Sequence, residues 1–252
     1  RLVGSEMCIR DSVKGLFGLS NKPPKETLYE EIAEEAIELF SQSQVDEVRD
    51  LEKALSKAKS DEEKIAALSK LVVFWENMGR TLVAADYQRQ IAKLTNDEAD
   101  WALAGDKFFI TRNDTTEGIR HDNAYYASVE CYEKAIELNE QNFSAKVNLA
   151  ACYTDGMGDI MTGVLLLREV AEEDVENIEA NMKLAEFSMM SRQFEKAIQR
   201  LEVVLGKDSL NLPALFLMAD AWLGIGETEK GIEMLKTASG VTTDSVEIEN
   251  ID

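Results

Sequence analysis

Proline, glycine, cysteine and histidine are all scarce in this chain, and each scarcity excludes something. Three prolines and 14 glycines in 252 residues leave few places where a helix must break. With Ala, Glu, Leu and Lys the commonest residues, that favours long helices over strands. Positive charge is also thin: 27 Lys and Arg face 48 Asp and Glu, a formal charge of −21. This argues against a nucleic-acid partner, because counterion release needs a basic face, and an anionic membrane surface is disfavoured for the same reason. No apolar run approaches the ~18 residues needed to span a bilayer; the longest in the body runs from Leu212 to Ala219. What is present, 45% hydrophobic and 7% aromatic residues, is enough for a core and unlike a disordered acidic tail. The expectation is an all-α globular chain.

The three cysteines, Cys8, Cys131 and Cys152, include no CxxC pair, so neither a zinc cluster nor a thioredoxin-type redox site is encoded. Cys131 and Cys152 read as small buried hydrophobes. They flank a turn expected at residues 140–142 almost symmetrically, which would set them at the same height in an antiparallel hairpin. Whether they pair is left open, since a disulfide needs Cα atoms within about 7 Å and an oxidising compartment.

Residues 2–12, Leu-Val-Gly-Ser-Glu-Met-Cys-Ile-Arg-Asp-Ser, look like a translated frame of the transposon-end adapter used in sequencing libraries. Residues 1–12 are therefore set aside as a non-native scar. Their removal deletes Arg1, Arg10, Glu6 and Asp11 and leaves the net charge unchanged. On this reading the natural start lies upstream. A membrane anchor ahead of Val13 is then one expectation, and the compartment stays open between cytoplasm and periplasm. Residues 13–26, with Gly15 to Leu19 and Asn21-Lys-Pro-Pro-Lys25, read as a flexible segment.

The chain repeats itself. Asn142-Phe-Ser-Ala-Lys-Val-Asn-Leu-Ala150, Asn177-Ile-Glu-Ala-Asn-Met-Lys-Leu-Ala185 and Asn211-Leu-Pro-Ala-Leu-Phe-Leu-Met-Ala219 share one pattern at offsets of 35 and 34 residues. Each opens on an Asn able to accept the free N–H groups of a first helical turn. A second helix follows each, with Ala135, Val170, Val204 and Ala238 recurring at 35, 34 and 34, each one turn after Tyr132, Leu167, Leu201 and Leu235. Turn residues Asp155 to Gly158, Ser191-Arg-Gln193 and Gly224-Ile-Gly226 separate the two helices of each unit.

One helical hairpin per 34 residues resembles the tetratricopeptide repeat (TPR) family. The family's small residue on the first helix matches Gly105, Ala150, Ala185 and Ala219, and Trp101 fills the preceding aromatic slot. The following aromatic matches Phe108, Tyr153 and Trp222, while Ser188 departs from it. On the second helix the small residue matches Ser128, Gly163, Ala197 and Gly231. The repeat-ending proline is missing: Glu140 and Ser209 stand in its place. Leu68, Leu71, Val72 and Trp75, followed by Ala84 and Ile91, supply an earlier, degenerate unit, making five over about residues 62–238. The resemblance implies a right-handed α-solenoid, with residues 27–60 as a capping hairpin, 61–240 as the repeat domain and 241–252 as a C-terminal tail. Glu30, Glu31, Glu34, Glu35 and Glu38 would give the cap its polar outer face. Between Gly105 and Ala135 the spacing is 30 where its neighbours use 19 or 20, placing an insert of polar loop near Ile110 to Asn123.

Catalytic chemistry is not encoded in any recognisable pattern. The single histidine, His121, lies in the insert beside Asp122 with no nucleophile at a usable spacing. Gly156 and Gly158 sit in a helix-to-helix turn, where no phosphate cradle forms. Carboxylate pairs such as Glu31 and Glu35 are the solvated face expected of so acidic a chain. No catalytic residue, cofactor or metal is expected. The resemblance implies instead that the first helices line a concave wall that binds extended peptides or helices. Its inward positions are Asp106 and Phe109, Val147 and Thr154, Met182, Glu186 and Met189, and Phe216, Asp220 and Leu223. Met and aromatic side chains suit varied apolar partners, and the three acids favour basic ones. A Met or aromatic stripe at helical spacing reads equally as core, above all for Met189 and Phe216. The carboxylate-clamp subtype is set aside, because Ala102, Asp106 and Glu179 occupy slots that would need Lys, Arg or Asn, and Asn148 and Lys183 alone do not make a clamp. The function expected is a non-catalytic protein-interaction scaffold for basic, partly apolar segments. The alternative is a membrane-tethered envelope assembly factor whose anchor has been lost.

Overall fold

A computed structural model describes residues 28–111 and 118–249, with side chains described for 28–111 and 123–240. Residues 1–27, which include the expected scar and N-terminal segment, and residues 250–252 lie outside them. Twelve helices follow in order among the described residues: α1 (Leu28–Ile37), α2 (Gln42–Lys57), α3 (Asp61–Asn77), α4 (Thr81–Thr95), α5 (Glu98–Thr111), α6 (Gly118–Leu138), α7 (Phe143–Ala151), α8 (Ile160–Glu173), α9 (Ile178–Met190), α10 (Phe194–Lys207), α11 (Leu212–Gly224) and α12 (Thr228–Glu249). From α3 onward, each helix packs against the one before and the one after it in the chain. That locality is the contact pattern of an α-solenoid of five hairpins, α3–α4 to α11–α12.

The helices start where the sequence provides caps. Asn142, Asn177 and Asn211 each accept the backbone N–H three residues on, from Ala145, Ala180 and Ala214 at 2.9, 2.9 and 3.0 Å. Ser60 does the same for Glu63 at 3.2 Å, and the Glu63 carboxylate reaches back to the Ser60 N–H at 3.4 Å, closing a capping box. Four hairpins turn through a left-handed residue: Gly79, Gly158, Gly226 and, without a glycine's freedom, Arg192 at φ 55°.

Three regions differ from the sequence expectation. First, α1 and α2 do not lie together as a capping hairpin. α1 packs against α4 and α2 against α3, with Arg49 reaching from α2 to Glu34 of α1 at 2.7 Å. The cause is Tyr29, which is buried on the Phe108 ring at 5.7 Å under the Arg89 guanidinium, so that α1 is drawn toward α4. The five glutamates are exposed as expected, but Leu39 lies beyond the helix end in solvent. Second, the described residues of the insert lengthen helices. α5 continues through Thr111 and α6 begins at Gly118. The added turns of α6 bury Ala124 and Tyr125, and Tyr125 meets Phe109 edge-on at 6.2 Å. Residues 112–117 and the His121 side chain lie outside the described residues. Third, α12 runs on to Glu249, so residues 241–249 extend a helix where a tail was expected.

The core is in two blocks. The larger runs from Tyr29 to Leu184 and holds Trp75, Phe108 and Tyr132. The smaller begins at Ala185 and contains only Ala, Ile, Leu, Val and Met among its buried members. The division falls within α9.

Candidate functional site

The first helices of the five hairpins are α3, α5, α7, α9 and α11, and several of them meet directly. Lys107 of α5 pairs with Glu76 of α3. Asn148 of α7 donates to Asp106 of α5 at 3.0 Å, and α9 touches α11. These links join α3 to α5, α5 to α7 and α9 to α11.

The expected wall residues divide by hairpin. On α11, Phe216 is 48% exposed, Leu223 is exposed, and Asp220 between them is exposed too. The spacing i, i+4, i+7 puts the three on one face. On α9, Met182 and Met189 are half-buried against the smaller core block, and Glu186 pairs with Lys183 at 3.1 Å. Thr154 lies in the π-turn Cys152–Gly156 that ends α7, with its hydroxyl donating to Asp155 at 3.0 Å.

Two expected wall residues are committed to the protein interior. Val147 is 5% exposed and belongs to the larger core block. A short branched side chain at that slot is covered by neighbouring helices where the longer Phe216 is not. Asp106 is half-buried and accepts from both the Tyr132 hydroxyl at 2.7 Å and Asn148 at 3.0 Å. Burial, then the Asp106 carboxylate, pushes the Tyr132 phenol far above its ordinary pKa. The neutral hydroxyl is therefore a permanent donor, and Asp106 serves as a joint between α5, α6 and α7. Phe109 is half-buried against Tyr125.

Sequence reasoning missed other exposed apolar groups on these helices. Val73 follows Val72 as Asp220 follows Ala219, and is exposed; Leu103 and Ile110 of α5 are exposed as well. The signal was available, since Val72 aligns with Ala219 through the 19-residue spacing to Ile91 and Ala238. Cys131 and Cys152 are both buried thiols. Among the described residues no group of His, Cys, Asp and Glu is arranged to hold a metal ion, and no helix is long and apolar enough to cross a membrane.

No protein-family model and no curated protein matches the sequence. Solved structures match the fold. A crystal structure of MamA protein is 13% identical, covering 74% of this chain and 96% of that one at a TM-score of 0.57. A MamA chain from Desulfovibrio magneticus RS-1 is 14% identical over 71% of this chain and 96% of its own, with a TM-score of 0.56. YrrB, described as a TPR protein with an unusual peptide-binding site, is 14% identical over 77% of this chain and 93% of its own at a TM-score of 0.51. At these identities the likeness is one of fold. The chain has the all-α solenoid architecture of TPR proteins.

Proposed function

We propose that the protein is a non-catalytic scaffold that holds a segment of another protein, extended or helical, against its first-helix wall. The observation that carries this is the Phe216, Asp220 and Leu223 face. Large apolar side chains left in solvent on one helix face mark a contact surface, and the carboxylate between them has no ion pair among the described residues. The segment it suits is apolar at two positions and basic between them. The peptide-binding site named for YrrB supports this class of function on this fold. The acidic character of the wall narrows to Asp220, because Asp106 is occupied by Tyr132 and Asn148 and Glu186 is paired with Lys183.

A labelled peptide alternating Lys with Leu, titrated by fluorescence anisotropy, tests the reading. Phe216→Ser/Leu223→Ser and Asp220→Lys variants should each weaken binding about tenfold, equivalent to ~1.4 kcal/mol. Glu202→Lys, a charge reversal on the exposed face of a second helix, should change it little. Equal losses from Asp220→Lys and Glu202→Lys would mean that the overall charge, not the wall, attracts the peptide.

A further inference from the structure

A second surface has the opposite charge. Between α8, the end of α9 and α10 lies a cleft of about 840 Å³, within the range of ligand-binding pockets. Three cations line it: Arg168 of α8, and Lys196 and Arg200 of α10. In a chain of charge −21, the only acid in the lining is Asp159. Its carboxylate is already taken by the N–H and hydroxyl of Thr162, at 3.1 and 2.5 Å, as the cap of α8. None of the three cations forms an ion pair among the described residues. Lys196 donates to the neutral Gln193 at 2.7 Å and Arg200 to the neutral Asn181 at 3.0 Å.

Arg200 is held in place by a buried residue. Asn181 is 0% exposed, and its amide nitrogen donates to the carbonyls of Val175 and Asn177 at 3.1 and 2.8 Å. That fixes which way the amide points and leaves its oxygen to accept from Arg200. A guanidinium anchored through one nitrogen keeps further N–H donors in a rigid fork, the geometry that suits a carboxylate. The cleft also has adaptable apolar lips. Met161 on α8 is 70% exposed and Met190 at the end of α9 is 72% exposed, with Ile160, Val164 and Phe187 in the lining. Flexible Met side chains in solvent suit a surface that repacks around varied apolar groups.

The geometry points to a second binding site, in which this cleft takes an acidic, partly apolar peptide segment of a partner protein, its carboxylates on Arg200, Arg168 and Lys196 and its apolar side chains between Met161 and Met190. The apolar half of the lining sets the class, because a small inorganic anion would leave it uncovered. A nucleic-acid backbone would run its phosphates across the surrounding acidic surface. That same surface also opposes an acidic peptide at long range, so the attraction has to come from contacts within the cleft, and side-chain variants report on it better than salt does. The site shares no residue with the Phe216, Asp220 and Leu223 face of the first-helix wall. It also lies beside the division of the core at Leu184 and Ala185, so an occupant would bridge the two core blocks.

The test uses a labelled peptide alternating Glu with Leu and Phe, a matched peptide with Gln for Glu, and the full chain. The acidic peptide should bind at least about tenfold tighter than the Gln peptide. Arg168→Gln/Lys196→Gln, which leaves Arg200 on Asn181 and so preserves the local fold, should remove most of that preference. Met161→Ser/Met190→Ser should weaken both peptides. The wall variant Asp220→Lys should leave acidic-peptide affinity unchanged, which separates failure here from failure of the wall. Equal binding of the two peptides, or unchanged affinity in both cleft variants, would overturn the proposal. So would concentration-dependent self-association abolished by Arg168→Gln/Lys196→Gln, because the occupant would then be a second copy of the chain.

Discussion

The Tyr132 ring lies against Gly105, so close that a Cβ at position 105 would sit 2.7 Å from the ring's Cδ1 and Cε1. This contact between α5 and α6 explains why the small residue recurs on the first helix of each repeat: it is where the second helix of the hairpin presses closest. Ala150, Ala185 and Ala219 at the matching positions are all fully buried. Gly105→Ala should therefore destabilise the protein by about 1 to 3 kcal/mol through overpacking, although alanine in an open helix would gain roughly 1 kcal/mol over glycine. Chemical denaturation decides the sign. An increase in midpoint would show that Tyr132 moves aside for less than the helix gain of roughly 1 kcal/mol.

Arg89 joins α1 to the solenoid. Its guanidinium lies 5.1 Å from the Tyr29 ring and 5.4 Å from that of Phe108, and it pairs with Asp86 at 2.5 Å and Glu130 at 3.3 Å. Burial works against its charge, but Asp86 and the neighbouring groups more than offset this and hold its pKa above the ordinary value. Arg89→Ala should cost about 3 kcal/mol, the low end for breaking a buried pair, since Glu130 keeps its water. The loss should be local. Hydrogen exchange in α1 should accelerate far more than in α9 to α11, and uniform acceleration would show that α1 is not held by this contact.

The repeat was legible because its signals are local. An Asn cap, a small residue eight positions on and an apolar pair 19 residues later are each set by contacts within one hairpin. The wall was only half legible, because coverage depends on neighbours distant in sequence. Nothing near Asp106 reveals that Tyr132 and Asn148 point at it from two other helices. Likewise nothing near Val147 separates it from Phe216, which holds the equivalent slot and is exposed. The cationic cleft was illegible for the same reason, its charges coming from positions 168, 196 and 200 on two hairpins. The position of α1 follows from Tyr29 meeting Arg89, sixty residues away in sequence.

Burial also sets the alkaline limit of the fold. It pushes the phenols of Tyr29, Tyr132 and Tyr153 far above their ordinary pKa, and that of Tyr87 up to about 12. A raised folded-state value means that the neutral form is the one the fold accommodates. The stability this contributes is fully present below the unfolded value of ~10 and is lost as pH rises from there toward the folded values. Helicity should hold up to about pH 10 and then fall, with tyrosinate absorbance rising together with the loss of helix. The Cys131 thiol, also pushed up by burial, should resist alkylation over the same range and react once the helices melt. Ordinary tyrosine titration with helicity intact would show that these side chains reach solvent in the native state.

The division of the core at α9 makes the solenoid unequal along its length. The block from Tyr29 to Leu184 contains Trp75, Phe108 and Tyr132, all fully buried, whereas the block from Ala185 onward has no fully buried aromatic among the described residues and leaves Trp222 only half-covered. In a repeat array each hairpin is stabilised by itself and by its immediate neighbours, so a block with less buried apolar area opens first. Native-state hydrogen exchange should find amides of α11 exchanging through a sub-global opening at a lower free energy than those of α4 and α5. Ala219→Leu, which overpacks the contact between α11 and α12, should lower that opening energy by about 1 to 3 kcal/mol and leave exchange in α4 unchanged. If Ala219→Leu instead accelerated α4 and α11 equally, the chain would be unfolding as one cooperative unit. The two-block core would then be a feature of packing with no consequence for stability.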